Sequence, residues 1–200
     1  MKNLFSMDNP FMQALDIAAD LLVLNLLALV CCLPVVTAGA AYTALNDVVL
    51  RILRREEGHI VRDYFGAFKR NFKQGVPLGL LFLLAAALLY ADYLAAQTYV
   101  PPLRIAIAAI ALIVLAIALY AFALLARFEN TLRGTVKNAA ALAVAYFPRT
   151  LGALVFVLAF WVLALRFLRY SVPVLVMFGL SLPCYLCLML FKDVLDRMEQ

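Results

Sequence analysis

Five long apolar stretches dominate the chain, and short polar stretches separate them. Each one meets or approaches the roughly 20 residues that a helix needs to cross a hydrocarbon core about 30 Å thick. The pattern therefore predicts an all-α fold, a single polytopic transmembrane domain of about five spans over residues 1–200. The fourth span is the least regular, and we expect a kink at Pro148 beside it. The predicted spans cover residues 17–36, 76–96, 105–126, 151–168 and 172–191.

The polar stretches have a helical pattern of their own. In residues 44–55, apolar side chains recur at helical spacing with charged ones between them, which predicts an amphipathic helix that continues inward from the first span. Residues 60–73 and 128–140 show the same spacing, with aromatic side chains on the apolar face. Basic, aromatic helices of this type lie on a membrane surface or bind a partner. We expect all three helices on the cytoplasmic side, in contact with either lipid or protein.

The composition excludes a water-soluble monomer. Hydrophobic residues make up 67% of the chain and charged residues only 14%, against about 25% charged in an ordinary soluble domain. The solvent for most of the surface must be the lipid bilayer. A net charge of +5 does not indicate a nucleic-acid partner, because the basic residues follow the predicted membrane boundaries instead of forming one solvated face.

The basic residues predict an orientation. Seven of the seventeen lie in residues 37–75, four in residues 127–150 and two in the C-terminal tail. Five alternating spans place these three segments on one side, and loops rich in Lys and Arg stay in the cytoplasm. We therefore expect a multi-pass membrane protein, with the N-terminus outside and the C-terminus cytoplasmic.

Three polar residues fall within or near the predicted spans, where a polar side chain is costly unless it is paired or faces water. Asp20 and Asn25 lie about one turn apart and would line a polar cavity if both face the bundle interior. Alternatively, Asp20 lies at the outer interface and Asn25 forms an interhelical hydrogen bond. Asp92 falls near the predicted outer face, where it could pair with Arg104 or another arginine, unless the arginines reach the headgroups instead.

A break is expected after the first span. Leu33 and Pro34 precede Thr37 and Gly39, and a proline removes one helical amide while glycine and alanine permit close backbone contact. The segment predicts a re-entrant bend or a tight helix crossing. A structural role is the main interpretation, and a gating hinge is the alternative.

The sequence contains no recognisable pattern of catalytic residues. Two cysteine pairs lie inside apolar runs and are best explained as small packing residues. His59 is the only histidine and has no evident nucleophile partner, and the sequence contains no phosphate-binding loop of the Walker type. We therefore expect no enzyme, no metal site and no cofactor.

One segment resembles a known family. Three stretches of the sequence are similar to the YesL-like family of bacterial membrane proteins. They are Leu33-Pro34-Val35-Val36-Thr37-Ala38-Gly39-Ala40-Ala41-Tyr42-Thr43-Ala44-Leu45, then Arg55-Glu56-Glu57, and finally Tyr64-Phe65 with Phe68-Lys69-Arg70-Asn71-Phe72-Lys73-Gln74. The specific match covers about the first eighty residues. Members of that family are typically encoded beside carbohydrate ABC importers and polysaccharide-degrading enzymes, and the family has no established catalytic residues.

The resemblance implies an accessory or regulatory partner of a carbohydrate ABC importer, bound to its permease or ATPase subunits. The alternative is a small autonomous transporter or channel, acting as a homo-oligomer, with the three intramembrane polar residues along its route. The candidate docking residues for the first function are Tyr64, Phe65, Phe68, Lys69, Arg70, Phe72 and Lys73.

Overall fold

A computed structural model describes residues 10–56, 58–99, 102–128 and 131–197 of the chain. This part is helical throughout, without a strand, which confirms the all-α class. A short 3-10 turn, Val35–Thr37, separates the first two helices. The eight α-helices are α1 (Pro10–Cys32), α2 (Ala38–Leu53), α3 (Ile60–Tyr99), α4 (Leu103–Arg127), α5 (Leu132–Ala145), α6 (Phe147–Arg166), α7 (Leu168–Phe178) and α8 (Ser181–Arg197).

Four of these helices, α1, α3, α4 and α6, are long and apolar enough to cross a bilayer. A fifth candidate is the pair α7 and α8, whose segments Val172–Phe178 and Ser181–Leu195 are bent by 51° at the short break between them. The predicted span 172–191 is therefore a broken helix and not a continuous one. Gly179 and Leu180 form the break, which we name the α7–α8 break.

The predicted helix 60–73 and the predicted span 76–96 form one helix. α3 contains 40 residues and continues through Pro77, although a proline inside a helix removes one hydrogen bond and crowds the carbonyl four positions earlier. At 1.5 Å per residue, α3 is about 60 Å long, roughly twice the hydrocarbon thickness of a bilayer. One half of α3 is therefore enough to cross the membrane.

The predicted helix 128–140 is α5, which begins and ends later than expected. Of its predicted residues, 129 and 130 lie outside the described part of the chain. The Thr131 hydroxyl caps α5 by accepting a hydrogen bond from the Gly134 amide at 3.3 Å. α6 then starts after Tyr146, with Pro148 in its first turn, where a proline leaves no helical hydrogen bond unmade. The expected kink is thus a boundary between two helices.

The first two helices form an antiparallel hairpin. At its closed end, Thr37 Oγ1 lies 2.7 Å from the carbonyl oxygen of Cys31 and 2.8 Å from that of Pro34, which fixes the turn. At its open end, Arg55 Nη2 donates to Gln13 Oε1 at 3.3 Å. The start of α1 and the end of α2 therefore lie at the same level.

Other helix ends gather at the open end of the hairpin. Lys192 Nζ in α8 donates to the carbonyl oxygen of Leu53 at 3.0 Å. Arg149 in the first turn of α6 forms an ion pair with Asp193 at 3.3 Å. We name this part of the molecule, with the start of α1 and the end of α2, the basic end.

The central helix of the bundle is α2, which packs against α1, α3, α4 and α8. Eleven of its sixteen residues are buried, from Gly39 to Leu50. In the predicted amphipathic helix 44–55, other helices of the bundle bury residues 44–50, at both the apolar and the polar positions. Small residues in the first turns let the neighbours approach, so no broad face is left for lipid or water.

Candidate functional site

The seven candidate docking residues divide into two groups on α3. Tyr64 is fully buried, Phe68 is half-buried against the core, and Arg70 forms an ion pair with α2. Phe65, Lys69, Phe72 and Lys73 are exposed. The structure therefore assigns the first three residues to the packing of α3 on the hairpin and leaves the other four at the surface.

The inward group attaches α3 to α2. The Tyr64 hydroxyl donates to the carbonyl oxygen of Ala41 at 3.3 Å, and the ring of Tyr64 stacks on that of Phe68 with 6.5 Å between centroids. Because a buried phenol needs a hydrogen-bond partner, the contact with Ala41 makes this burial tolerable. Two aromatic side chains of the segment 60–73, Tyr64 and Phe68, therefore contribute to the core.

The outward group forms one stripe along α3. Val61 and Phe65 are 49% and 50% exposed, Phe72 is 41% exposed, and Lys69 is exposed between them. Residues at spacings of four, eight and eleven lie on one face of a helix. We name Val61, Phe65, Lys69 and Phe72 the docking face.

A buried carboxylate links α2 to α3. Asp47 is only 7% exposed and forms ion pairs with Arg70 of α3 and with Arg51 of α2, the latter at 3.2 Å. The hydrogen bond to Asp47 raises the pKa of the Arg51 guanidinium. A charge that is taken out of water must be paired, and the two arginines supply that pairing. Asp47 was not singled out from the sequence, where it belongs to an ordinary amphipathic pattern.

Asn25 bridges the α7–α8 break. Its side-chain Nδ2 donates to the carbonyl oxygen of Val176 at 2.7 Å, and its Oδ1 accepts from the amides of Leu180 and Ser181 at 2.7 and 3.0 Å. Helix ends leave carbonyls and amides without helical partners, and one buried carboxamide satisfies groups on both sides of the break. Asn25 therefore has a structural role at this position, as the interhelical hydrogen-bond interpretation predicted.

The other two intramembrane polar candidates lie elsewhere. Asp20 lines a cavity of about 500 Å³ at the open end of the hairpin, with Asp16, Arg55 and Glu56. Asp92 is exposed on α3, and among the described residues it forms no ion pair with Arg104 or Arg166. The Arg169 side chain lies outside the described part. The described structure therefore does not assemble a shared polar route from Asp20, Asn25 and Asp92.

The segment after α1 brings α2 into close backbone contact with α3. Leu33 and Pro34 are exposed in the turn, and Gly39 faces α3. A Cβ atom at Gly39 would lie 2.2 Å from the carbonyl oxygen of Gly75 and 2.5 Å from the Cα of Gly79. Gly75 and Gly79 have the small-xxx-small spacing that permits backbone contact between membrane helices. That spacing is visible in the sequence, but the expected close contact rested on Gly39 and its neighbouring alanines instead.

The cysteines contribute packing. Cys184 and Cys187 are buried in α8, and Cys31 and Cys32 are half-buried at the end of α1, all with free thiols. Within the described ranges, no group of three or more His, Cys, Asp or Glu side chains is arranged to hold a metal ion.

These helices define an all-helical, multi-pass membrane protein. Residues 21–93 match the model of a family described as a protein of unknown function, DUF624. The matched segment covers the second half of α1, all of α2 and most of α3, and so includes the closed end of the hairpin, the Gly39 contact and the docking face. Neither a curated protein nor a solved structure matches the chain.

Proposed function

We propose that this protein is an accessory or regulatory partner of a bacterial carbohydrate ABC importer, embedded in the cell membrane. The observation that supports the proposal is the docking face, which the chain's own helices leave uncovered. The class of partner comes from the resemblance to the YesL-like family, which is carried by the same region that matches the unknown-function family.

The position of the docking face favours a protein partner. With the apolar residues 76–96 in the bilayer, the first half of α3 extends beyond the hydrocarbon, since the whole helix is about 60 Å long. Two exposed phenylalanines beside a lysine form a surface of the kind that protein interfaces favour, with aromatic anchors within a polar rim. A permease or an ATPase subunit would cover it.

The helix ends also bear on orientation. Because Gln13 contacts Arg55, the start of α1 lies at the basic end. The positive-inside rule then supports a cytoplasmic location for the start of α1 and the end of α8, the side on which we expect thirteen of the seventeen basic residues. We therefore propose a cytoplasmic N-terminus in place of the external one that five simple spans predict. An N-terminal alkaline phosphatase fusion that is active would contradict this topology.

Affinity purification from the native host tests the accessory function. The tagged protein is purified in mild detergent from cells grown on a polysaccharide that induces the importer, and co-purified proteins are identified by mass spectrometry. We expect importer subunits with the wild type and their loss in the double variant Phe65→Ala and Phe72→Ala. The matched control is Leu84→Ala with Leu88→Ala, two residues of α3 that are 61% and 59% exposed.

The control should retain the importer subunits, because those leucines belong to the apolar half of α3. Retention of the subunits by the phenylalanine variant as well would reject the docking face as the binding surface. Absence of importer subunits from the wild type would reject the accessory function itself.

An autonomous transporter or channel, acting as a homo-oligomer, is the second candidate, and the α7–α8 break is the observation that favours it. Broken helices occur at the binding sites of secondary transporters. Here, however, the carbonyl oxygen of Val176 and the amides of Leu180 and Ser181 already bond to Asn25. Flux of oligosaccharides or ions into proteoliposomes that contain this protein alone would favour the transporter. Proteoliposomes that take up none of these oligosaccharides or ions would leave the transporter function without support.

A further inference from the structure

A second cavity lies where α2, α3 and α4 meet. It has a volume of about 390 Å³, and its polar lining from α2 and α3 consists of Asp47, Arg51, Arg70, Asn71, Lys73 and Gln74. The end of α4, from Leu125 to Arg127, and the following Phe128 form the remaining wall. The cavity is separate from the docking face, since it shares none of that surface's four residues.

The charge in this cavity is positive. Arg51, Arg70 and Lys73 line it together with Arg127, and Asp47 is the one carboxylate in the lining. Asp47 binds both Arg51 and Arg70, but a guanidinium has five N–H donors and a single carboxylate does not use them all. Three basic groups around one acid leave an excess of positive charge even when Arg127 is disregarded.

Asn71 contributes a neutral donor to the same lining. Its Nδ2 is buried and has no hydrogen-bond acceptor among the described residues. A buried donor without an acceptor is costly, and a ligand bound beside Asn71 could supply the missing acceptor. The ligand that suits this lining must therefore bring acceptor atoms.

We propose that this cavity binds a phosphate group. A phosphate carries negative charge and several acceptor oxygens, which match the ammonium of Lys73, the guanidinium groups and the amide of Asn71. The volume falls in the range of small-molecule sites. Two sources share this chemistry: a phospholipid headgroup, since basic pockets between membrane helices bind anionic lipids, and a free phosphate compound from solution.

The test uses the full-length protein and a double variant, Asn71→Leu with Lys73→Gln. Both residues line the cavity, and neither is needed to pair Asp47. The matched control is Lys69→Gln, an exposed lysine one turn away on α3 that does not line the cavity. Melting temperatures without ligand establish first that all three proteins are folded.

Two arms separate the sources of the phosphate. In detergent, inorganic phosphate is titrated and its Kd is taken from the rise in melting temperature. In nanodiscs, native mass spectrometry measures retention of phosphatidylglycerol against phosphatidylcholine. Phosphate binding in detergent indicates a soluble ligand, and selective retention of phosphatidylglycerol alone indicates a lipid headgroup.

In the arm that gives binding, we expect the double variant to weaken it about tenfold or more, because charge-assisted hydrogen bonds are lost. Lys69→Gln should bind as the wild type does. The proposal is overturned if neither probe binds the wild type, or if the double variant and the control bind equally well.

Discussion

α2 and the first half of α3 have similar sequence patterns and opposite surroundings. Both show apolar residues at helical spacing, and both carry arginines and one aspartate. α2 is buried at the centre of the bundle, whereas the first half of α3 is exposed along one whole face. The comparison shows that amphipathic spacing predicts a helix but does not predict what will cover its polar side.

The difference comes from side-chain size and from where the polar groups bond. α2 opens with Gly39, Ala40 and Ala41, so α3 approaches its backbone closely. Its polar side chains are satisfied locally: Thr43 donates to the Gly39 carbonyl at 2.8 Å, and Asn46 donates to the Tyr42 carbonyl at 2.7 Å. The corresponding part of α3 carries phenylalanines and lysines that no neighbour accommodates.

The largest effect is expected within α3, at two adjacent aromatic residues. Tyr64→Ala removes a fully buried ring and its hydrogen bond to Ala41, which should cost about 4 kcal/mol of stability. Phe65→Ala removes a ring that is 50% exposed and should cost less than about 1 kcal/mol. Thermal unfolding in detergent, followed with a thiol-reactive dye after Cys31 and Cys32 are replaced by serine, measures both, because the buried Cys184 and Cys187 should react only on unfolding. Equal losses would mean that α3 has no inward and outward faces.

The next largest effect is expected where α2 contacts α3. Gly39→Ala places a Cβ against backbone atoms of Gly75 and Gly79 that cannot rotate away, so we expect a loss of about 3 kcal/mol and a melting temperature lower by about 6–12 °C. Gly152→Ala on α6 is the control, since its Cβ would meet Leu190 at an ordinary 3.9 Å. A Gly39→Ala protein that melts like the Gly152→Ala protein would contradict the tight crossing.

These contacts mark the limit of what the sequence predicted. The all-α class followed from composition and run length, and a break after Leu33 followed from Pro34. The burial of α2 did not, because it depends on a hairpin that brings Gly39 to Gly75 and Gly79, and helical periodicity contains no information on that pairing. The Gly75-xxx-Gly79 spacing was present as a signal for a close contact, but it does not name the partner.

The site residues also divide into those that the sequence predicted and those that it did not. Asn25 was identified as polar at membrane depth, and an interhelical hydrogen bond was one of its two interpretations. Its partners at Val176, Leu180 and Ser181 are about 150 residues away, and a broken helix was not expected there. Asp47 was not identified at all, since its burial follows from the position of α2 and not from its neighbours in sequence.

A smaller effect is expected at the ion pairs between the two regions. Asp47→Asn removes the charge that faces Arg51 and Arg70. A fully buried pair would lose more, but Arg70 is 50% exposed, so solvent screening reduces the expected cost to about 2 kcal/mol. Asp193→Asn breaks an exposed pair with Arg149 and should cost about 0.5 kcal/mol or less. Urea titration in micelles compares the two, and an equal cost would show that Asp47 is screened as a surface residue is.

The smallest effect has the opposite sign and concerns the exposed side of α3. A Cβ atom at Gly66 would meet nothing within 4 Å, so Gly66→Ala adds no clash and restricts the unfolded chain. Alanine is favoured over glycine inside a helix by about 1 kcal/mol, and we expect a rise in melting temperature of about 2–4 °C. The same substitution should therefore stabilise α3 at Gly66 and destabilise α2 at Gly39. A fall in melting temperature for Gly66→Ala would indicate that a helix from a second copy or a bound partner packs against this side of α3.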